Sequence, residues 1–241
     1  MEPRTSVIKN RLKNIKRIIV VASGKGGVGK SLIASALALS LAKKGQRIGL
    51  LDLDLYGPSS HIILGVTNVF PAEEKGLIPP TVHGIQFMSI VYFTEEKPSP
   101  FRGVDITNIV VELLAITRWG ALDYLIIDMP PGIGDETLDV MRFIQKSEFL
   151  VVTTPSKVAM GAVSKLLQLL KELKKPVLGV IENMTMTDSS YIEKEVRKLK
   201  LPYLGKITFD QALEDAIGNP DKLFTTKFMK ELEQILRKTN L

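Results

Sequence analysis

The feature that most constrains the fold is a strand, a glycine-rich turn and a helix in direct succession near the N-terminus. Residues 17–23, RIIVVAS, form a β-branched run that is typical of a buried strand. Residues 31–45, SLIASALALSLAKKG, have apolar residues at helical spacing and end at a glycine. The turn between them, GKGGVGK, offers backbone N–H groups at a helix N-terminus, which is a favourable site for an anion.

The alternation of strand-like and helical stretches continues along the chain. Further apolar strand candidates lie at 47–54, 87–93, 122–129, 148–154, 176–182 and 203–207. Helical patterns lie at 106–120, 135–146, 157–173 and 190–200. Because strands that alternate with helices pair in parallel through right-handed crossovers, we predict a three-layer α/β/α fold with a mostly parallel central sheet.

A length of 241 residues predicts one domain over 1–241. A chain of this size also buries enough apolar surface to be stable without a disulfide or a structural metal. Within it, 1–16 is a basic N-terminal segment and 210–241 a C-terminal helical segment. Residues 56–81 and 94–103 are rich in glycine and proline, and each follows a predicted strand. Ligands of open α/β sheets bind beyond the carboxyl ends of the strands, so we expect these loops to border the functional site and to contact partners.

The composition excludes several kinds of site. The chain has no cysteine, so disulfides, thiolate metal sites and cysteine nucleophiles are excluded, and a cytoplasmic location, which we predict, is allowed. No apolar stretch is long enough to cross a bilayer, so we expect no membrane partner. The net charge of +6 is spread over lysines on predicted helix faces, and we expect no nucleic-acid partner.

The glycine-rich turn satisfies the phosphate-loop pattern G-x-x-x-x-G-K-[ST]. In such a loop Lys30 bridges the β- and γ-phosphates of a nucleotide, and the Ser31 hydroxyl binds Mg²⁺. The predicted nucleotide-binding residues of the loop are Gly24, Gly26, Gly27, Val28, Gly29, Lys30, Ser31 and Leu32.

Carboxylates follow two other predicted strands. Asp52 and Asp54 are two positions apart in LLDLDLYG, which on a strand would place both side chains on one face. Asp128 ends the apolar run LIID. Since carboxylate and hydroxyl oxygens suit Mg²⁺, we predict that Ser31, Asp52, Asp54 and Asp128 bind this ion directly or through water.

The motifs together resemble a known family. GKGGVGKS is the deviant Walker A motif of the Mrp/MinD/ParA class of ATPases. DLDLYGPSS, FRG at 101–103, LDYLIIDMPPGIGDETLD, VVTTPSKVA and PVLGVIENM are similar to the Mrp branch, in its order, and the resemblance covers roughly residues 17–210. It implies a P-loop NTPase fold, ATP and ADP as ligands, Mg²⁺-dependent hydrolysis of ATP, and a homodimer that closes across the nucleotide.

The resemblance also implies residue roles. Lys25 would cross the dimer interface to the partner's nucleotide, while Asp54 would orient the attacking water. Asp128 and Gly132 would belong to the segment that senses the γ-phosphate, and Asn183 would read the adenine edge. With Lys30, this gives Lys25, Asp54 and Asp128 as catalytic residues; the lack of an N-K-x-D motif favours ATP over GTP.

One family motif is missing. Mrp-type carriers place Cys-Pro-x-Cys after the ENM segment to hold an iron–sulfur cluster between two subunits, but this chain reads ENMTMTDSSYIEKE and has no thiolate to offer. A cysteine-free chain of this kind looks most similar to the archaeal ATPase-type HypB proteins. That resemblance implies a role in inserting nickel into [NiFe] hydrogenase, with a HypA-type metallochaperone as partner.

Other functions remain open at this point. One is an Mrp-like ATPase of iron–sulfur assembly without its own cluster cysteines. Another is a MinD- or ParA-like positioning ATPase, for which the C-terminal tail offers an apolar helical face that equally fits a helix docked on its own domain. That face consists of Phe228, Met229, Leu232, Ile235 and Leu236. A small-molecule kinase is the weakest alternative, because the segment PSPFRG supplies only Arg102 for an arginine-rich lid.

Overall fold

The computed structural model describes residues 4–55, 57–94, 103–187, 190–239 and 241. The strands in this part of the chain are β1 Ile15–Ser23, β2 Ile48–Asp52, β3 Ala72–Glu73, β4 Leu77–Ile78, β5 Thr81–Val82, β6 Ile85–Ser89, β7 Leu122–Asp128, β8 Ser147–Thr153, β9 Val177–Thr185 and β10 Tyr203–Thr208. The α-helices are α1 Arg4–Leu12, α2 Lys30–Lys43, α3 Ser60–Leu64, α4 Val91–Thr94, α5 Gly103–Ile116, α6 Asp135–Phe143, α7 Lys157–Glu172, α8 Tyr191–Lys198, α9 Pro220–Thr225 and α10 Lys227–Leu236. A 3-10 helix spans Gln211–Ala216.

The main sheet has the strand order β10-β9-β8-β1-β7-β2-β6-β5. All its neighbouring strands pair in parallel except β5, which runs antiparallel to β6 at one edge. Strands β3 and β4 form a separate antiparallel hairpin. The predicted three-layer α/β/α fold with a mostly parallel sheet is therefore confirmed.

The central strand β1 contributes to a core on each face of the sheet. Ile18 and Val20 pack with residues of α1, α5, α6, α7 and α8, while Ile19 and Val21 pack with residues of α2, α3, α9 and α10. Successive side chains of a strand point to opposite faces, so a strand covered on both sides must be apolar throughout. The continuous apolar runs of the sequence have this cause.

Two predicted elements differ from the structure. The strand expected at 87–93 ends at Ser89, and the chain turns into α4 at Val91. The sequence stays apolar beyond the end of the strand because Tyr92 of α4 packs edge-on against Phe87 of β6, with ring centroids 6.0 Å apart. The loop expected at 56–81 contains α3 and three short strands. Of the second predicted loop, 94–103, residues 95–102 lie outside the described residues, and Arg102 is one of them.

The apolar face of the C-terminal tail is covered by the protein itself. Helix α10 packs on β10, α9 and α2. All five of the residues predicted on that face are buried: Phe228, Met229, Leu232, Ile235 and Leu236. The docked interpretation of the tail is thus confirmed, and no helix in the described ranges is long and apolar enough to cross a membrane.

Candidate functional site

The glycine-rich turn joins β1 to α2 at the carboxyl edge of the sheet, as predicted. Gly24 lies against α7, where a Cβ atom would be 2.5 Å from the Val163 nitrogen. Gly29 has a left-handed φ of 79°, and a Cβ atom there would collide with the Asn183 amide. Glycine is therefore required at both positions, because the loop is packed against α7 and β9.

Lys30 is buried among carboxylates. Its Nζ donates a hydrogen bond to Oδ1 of Asp128 at 2.6 Å and lies 3.9 Å from Oδ2 of Asp54. It also lies 3.4 Å from the Ser31 hydroxyl. A buried ammonium needs such partners to offset its lost hydration. The structure thus brings together the predicted cation, the predicted magnesium hydroxyl and two of the predicted carboxylates.

Asp52 and Asp128 meet because their strands are neighbours. β2 pairs with β7, and these two residues are partners in the register. Both are fully buried. Burial and the charge of Asp128 raise the pKa of Asp52 to about 7. Burial also raises the pKa of Asp128, while the Lys30 ammonium opposes that shift.

The expectation that Asp52 and Asp54 share one face of a strand is wrong. β2 ends at Asp52, so Asp54 lies in the following loop. The Asp52 carboxylate accepts hydrogen bonds from the backbone N–H of Asp54 at 3.0 Å and of Ser60 at 3.2 Å. Asp52 therefore shapes the loop that carries Asp54, and only Asp54 lines the cavity described below.

Ser60 was not predicted from the sequence. Its hydroxyl donates to Oδ2 of Asp128 at 3.2 Å, and its N–H is held by Asp52, so it ties α3 to both carboxylates. The segment YGPSS, which follows the aspartates, was the available signal, but nothing in its pattern distinguishes Ser60 from Ser59.

Lys25 differs from Lys30 both in burial and in pairing with carboxylates. Its side chain is exposed at the mouth of the cavity. Across the described residues it makes neither a hydrogen bond nor an ion pair, although its backbone carbonyl accepts from the Ser23 hydroxyl at 2.9 Å. Within the described residues this lysine therefore has no counter-charge.

The turn opens into a cavity of about 450 Å³, within the range of small-molecule sites. Its walls include the phosphate loop, Asp54 and Pro131 on one side and the segment from Phe209 to Ile217 on the other. Sequence reasoning missed this second wall. Phe209 is 48% exposed, so its ring offers a face on which a planar base can stack.

Two further predicted residues lie close to the loop. The Gly132 N–H donates to the Ser23 carbonyl at 3.0 Å, which joins the segment after β7 to the end of β1. Asn183 is 2% exposed, and its Nδ2 donates to the Val28 carbonyl at 2.9 Å. This amide therefore holds the phosphate loop, and Met184 rather than Asn183 lines the cavity.

The residues fit a magnesium nucleotide and do not fit an iron–sulfur cluster. The described residues contain no group of three or more His, Cys, Asp or Glu suited to a metal, so Mg²⁺ would need phosphate and water oxygens beside Ser31 and the carboxylates. The glycine loop and Lys30 are suited to the phosphates that bring those oxygens. A cluster needs thiolates, and the sequence contains none.

Fold and site together define a P-loop NTPase: a parallel sheet whose central strand leads through a glycine loop into a helix with a buried lysine. The ParA family, described as NUBPL iron-transfer P-loop NTPase, matches residues 14–240. The chain belongs to this family.

Similar proteins carry the name iron–sulfur cluster carrier protein. The one from Rickettsia felis is 38% identical over 90% of this chain and 69% of its own length. The one from Pyrococcus furiosus is 35% identical over 99% of this chain and 92% of its own length. Against other bacterial relatives the chain spans less than two thirds of their length, for example 62% of that from Pseudomonas fragi.

Solved structures show the same fold. A nucleotide-binding protein from Archaeoglobus fulgidus, in complex with ADP, is 31% identical, with a TM-score of 0.79 and coverage of 94% of this chain and 96% of its own. The septum site-determining protein MinD from Pyrococcus horikoshii, complexed with Mg-ADP, has a TM-score of 0.70 and coverage of 92% and 95%. At 20% identity the MinD likeness concerns the fold alone.

Proposed function

We propose that this chain is a Mg²⁺-dependent ATPase whose two copies close across bound ATP, and that it assists iron–sulfur cluster assembly without holding the cluster through its own thiolates. The observation that carries the proposal is the contrast between the two lysines of one loop. Lys30 is buried and paired within its own chain, whereas Lys25 is exposed and has no partner among the described residues.

The proposed roles follow from this geometry. Lys30 would exchange its carboxylate partners for the β- and γ-phosphates, and Ser31 would hold Mg²⁺, whose charge would offset that of the phosphate oxygens. Asp54, at the edge of the cavity, would orient water, and Asp128, which pairs with Lys30 in the absence of nucleotide, would then be available to hold Mg²⁺ directly or through water. Lys25 of each copy supplies the last positive charge to the other copy's triphosphate, so hydrolysis requires the dimer.

The base is proposed to bind against the second wall of the cavity. Phe209 offers a stacking face, and the backbone of the neighbouring 3-10 helix offers polar groups. Asn183 remains proposed as a contact of adenine, through the donor and acceptor that its bond to Val28 does not use. ADP in the similar Archaeoglobus fulgidus protein supports an adenine nucleotide here.

The names of the relatives favour iron–sulfur assembly over nickel insertion. The cluster is then cargo that a partner protein holds, and this chain would act on the partner through its nucleotide-dependent shape. One observation favours the second candidate, nickel insertion with a HypA-type metallochaperone: the absence of cysteine. The buried face of α10 removes the support for a positioning ATPase that binds membranes through its tail.

Dimerisation is the test. Size-exclusion chromatography with light scattering should show a dimer of wild type with a non-hydrolysable ATP analogue and Mg²⁺, and a monomer with ADP. Lys25→Ala should remain monomeric under both conditions while it still binds the nucleotide. A wild-type monomer that hydrolyses ATP as fast at low as at high protein concentration would disprove the trans-acting lysine.

Partner and cargo need a separate measurement. Purified chain incubated with iron and sulfide should acquire no cluster absorbance of its own. With ATP it should accelerate transfer from a loaded iron–sulfur scaffold to an apo-ferredoxin. Acceleration of nickel transfer from a HypA-type protein, with no effect on iron–sulfur transfer, would select the second candidate instead.

A further inference from the structure

A second cavity lies at the opposite end of the sheet from the phosphate loop. It has a volume of about 270 Å³ and lies between α1, the start of β1 and the segment that joins α6 to β8. Leu12, Ile15, Ile18 and Phe143 give it an apolar floor. Since β1 runs nine residues to Ser23, at about 3.3 Å per residue, the cavity is roughly 26 Å from the nucleotide end.

The rim of this cavity is cationic. None of the described lining residues is acidic, and five are basic: Lys9, Lys13, Lys16, Arg142 and Lys146. Lys16 is paired with Asp123 at 2.8 Å, and the Arg142 guanidinium lies over the Phe143 ring at 5.4 Å.

Among the described residues, the other three rim lysines have no counter-charge. Lys9, Lys13 and Lys146 are exposed and make no hydrogen bond or ion pair with any residue of the described ranges. Like charges gathered around an apolar depression repel one another, so carboxylates placed between them would be attracted at once by several cations. The surface therefore has the charge complementary to an acidic ligand.

We propose that this cavity docks an acidic segment of a partner protein, which inserts one large apolar side chain and places carboxylates between the rim lysines. The volume lies below that of a drug-sized site, so it suits one or two side chains. A nucleic-acid backbone brings phosphates but no aliphatic group for the floor. A membrane is met by apolar side chains that protrude, whereas the apolar atoms here are recessed.

The position of the cavity allows docking and nucleotide binding at the same time. Helix α6 begins at Asp135, three residues after Gly132, and ends at Phe143 in the cavity floor. A partner docked here leaves the phosphate loop and Lys25 uncovered. It contacts the C-terminal end of α6, and the N-terminal end of this helix follows Gly132, whose N–H is bonded to Ser23.

The direct test is the fluorescence anisotropy of a labelled short peptide of alternating glutamate and leucine with a central phenylalanine. Two control peptides carry serine in place of each apolar residue, or lysine in place of each glutamate. We expect the first peptide alone to bind, with an affinity that falls as salt is added, because the rim charges are exposed to screening.

Two variants separate the rim from the floor. Lys9→Glu/Lys13→Glu/Lys146→Glu should weaken binding by about tenfold or more, because it reverses the three unpaired charges. The matched control Lys44→Glu/Lys171→Glu/Lys194→Glu makes the same change in net charge at exposed lysines elsewhere and should bind like wild type. Thr5→Trp fills the cavity without touching a charge and should also weaken binding by about tenfold.

Several results would overturn the inference: no binding of the first peptide, equal affinity of the two charge-reversal variants, or equal binding of the serine peptide. Tighter binding of duplex DNA or of phosphatidylglycerol vesicles would assign the surface to another class of partner. Self-association without nucleotide that the rim variant abolishes would assign it to a second copy. Circular dichroism, measured on each variant, reports correct folding and keeps this test independent of the proposed function.

Discussion

The two lysines of the phosphate loop lie five residues apart and occupy opposite electrostatic environments. The Lys30 side chain is 6% exposed and hydrogen-bonded to a fully buried carboxylate. Lys25 is exposed at the mouth of the same cavity and makes no side-chain contact of this kind within the described residues. The cation at position 30 is thus paired within its own chain, whereas the cation at position 25 has no partner in the described part of the chain.

The difference indicates how the two ends would act. Lys30 is already buried within the loop before a nucleotide arrives, and its ammonium would exchange Asp128 for the phosphates without leaving the site. An exposed lysine is hydrated and screened, and it becomes effective only when another molecule removes it from water. The exposure of Lys25 would therefore couple ATP hydrolysis to formation of the dimer.

Replacing the buried lysine should have the largest effect. We expect Lys30→Ala to lower single-turnover ATP hydrolysis by about 10⁴-fold and to weaken nucleotide binding, because the triphosphate loses its cation within the chain. Breaking the pair with Asp128 should also cost about 3 kcal/mol of stability, so circular dichroism must accompany the assay. Hydrolysis within about tenfold of wild type would contradict the assignment.

Replacing the exposed lysine should separate hydrolysis from binding. We expect Lys25→Ala to lower hydrolysis by about 10³-fold, as for a positive charge supplied in trans, while calorimetry shows nucleotide affinity close to wild type. Lys25→Arg, which keeps the charge, should recover part of the rate. If affinity fell as steeply as the rate, Lys25 would act within its own chain.

The buried end should also give the nucleotide-free protein a pH-dependent stability. Asp52 has a pKa of about 7 when folded against 3.8 as a free side chain, so between about pH 4 and 7 the folded state keeps a proton that the unfolded state releases. The free energy of unfolding should therefore fall as pH rises through this window, by less than about 4 kcal/mol, and level off above it.

Urea unfolding at pH 5 and pH 8 measures this effect. Asp52→Ala should lose that part of the pH dependence, although it is less stable at both values because two backbone N–H groups lose their acceptor. Lys25→Ala is the matched control and should keep the wild-type dependence. An unchanged dependence in Asp52→Ala would assign it to another group.

The smallest expected effects distinguish two glycines of the loop. Gly27 and Gly29 both have left-handed φ, 75° and 79°, but a Cβ atom at Gly27 meets nothing within 4 Å, whereas one at Gly29 would collide with the Asn183 amide. Gly27→Ala should cost about 1 kcal/mol from strain alone, and Gly29→Ala clearly more. Equal shifts in urea midpoint would show that Asn183 yields without cost.

The sequence predicted the regular elements well where the pattern is local. β1 and α2 were placed within two residues of their observed ends, because β-branched runs and helical periodicity each fix the local backbone. The run at 87–93 was mistaken for one strand because apolar residues of a strand and of the turn after it look alike. In the structure the pairing with β2 ends at Ser89, and Tyr92 then packs on Phe87.

The part of the candidate site that a local pattern encodes was also predicted from the sequence. A loop motif names its own residues, so Lys30 and Ser31 needed no knowledge of the fold. Phe209 and Ser60 were missed, because each reaches the site from a segment remote in sequence from the loop, with no motif of its own.

By itself the sequence determined the α/β class, the phosphate loop and the absence of thiolates, because these follow from residue type and short-range spacing. The tertiary structure decided which carboxylate pairs with Lys30, that Lys25 stays exposed, and that the apolar face of α10 is buried. The reason is that distances between remote segments depend on strand order and register. β2 and β7 are neighbours, and that placement alone brings Asp52 beside Asp128.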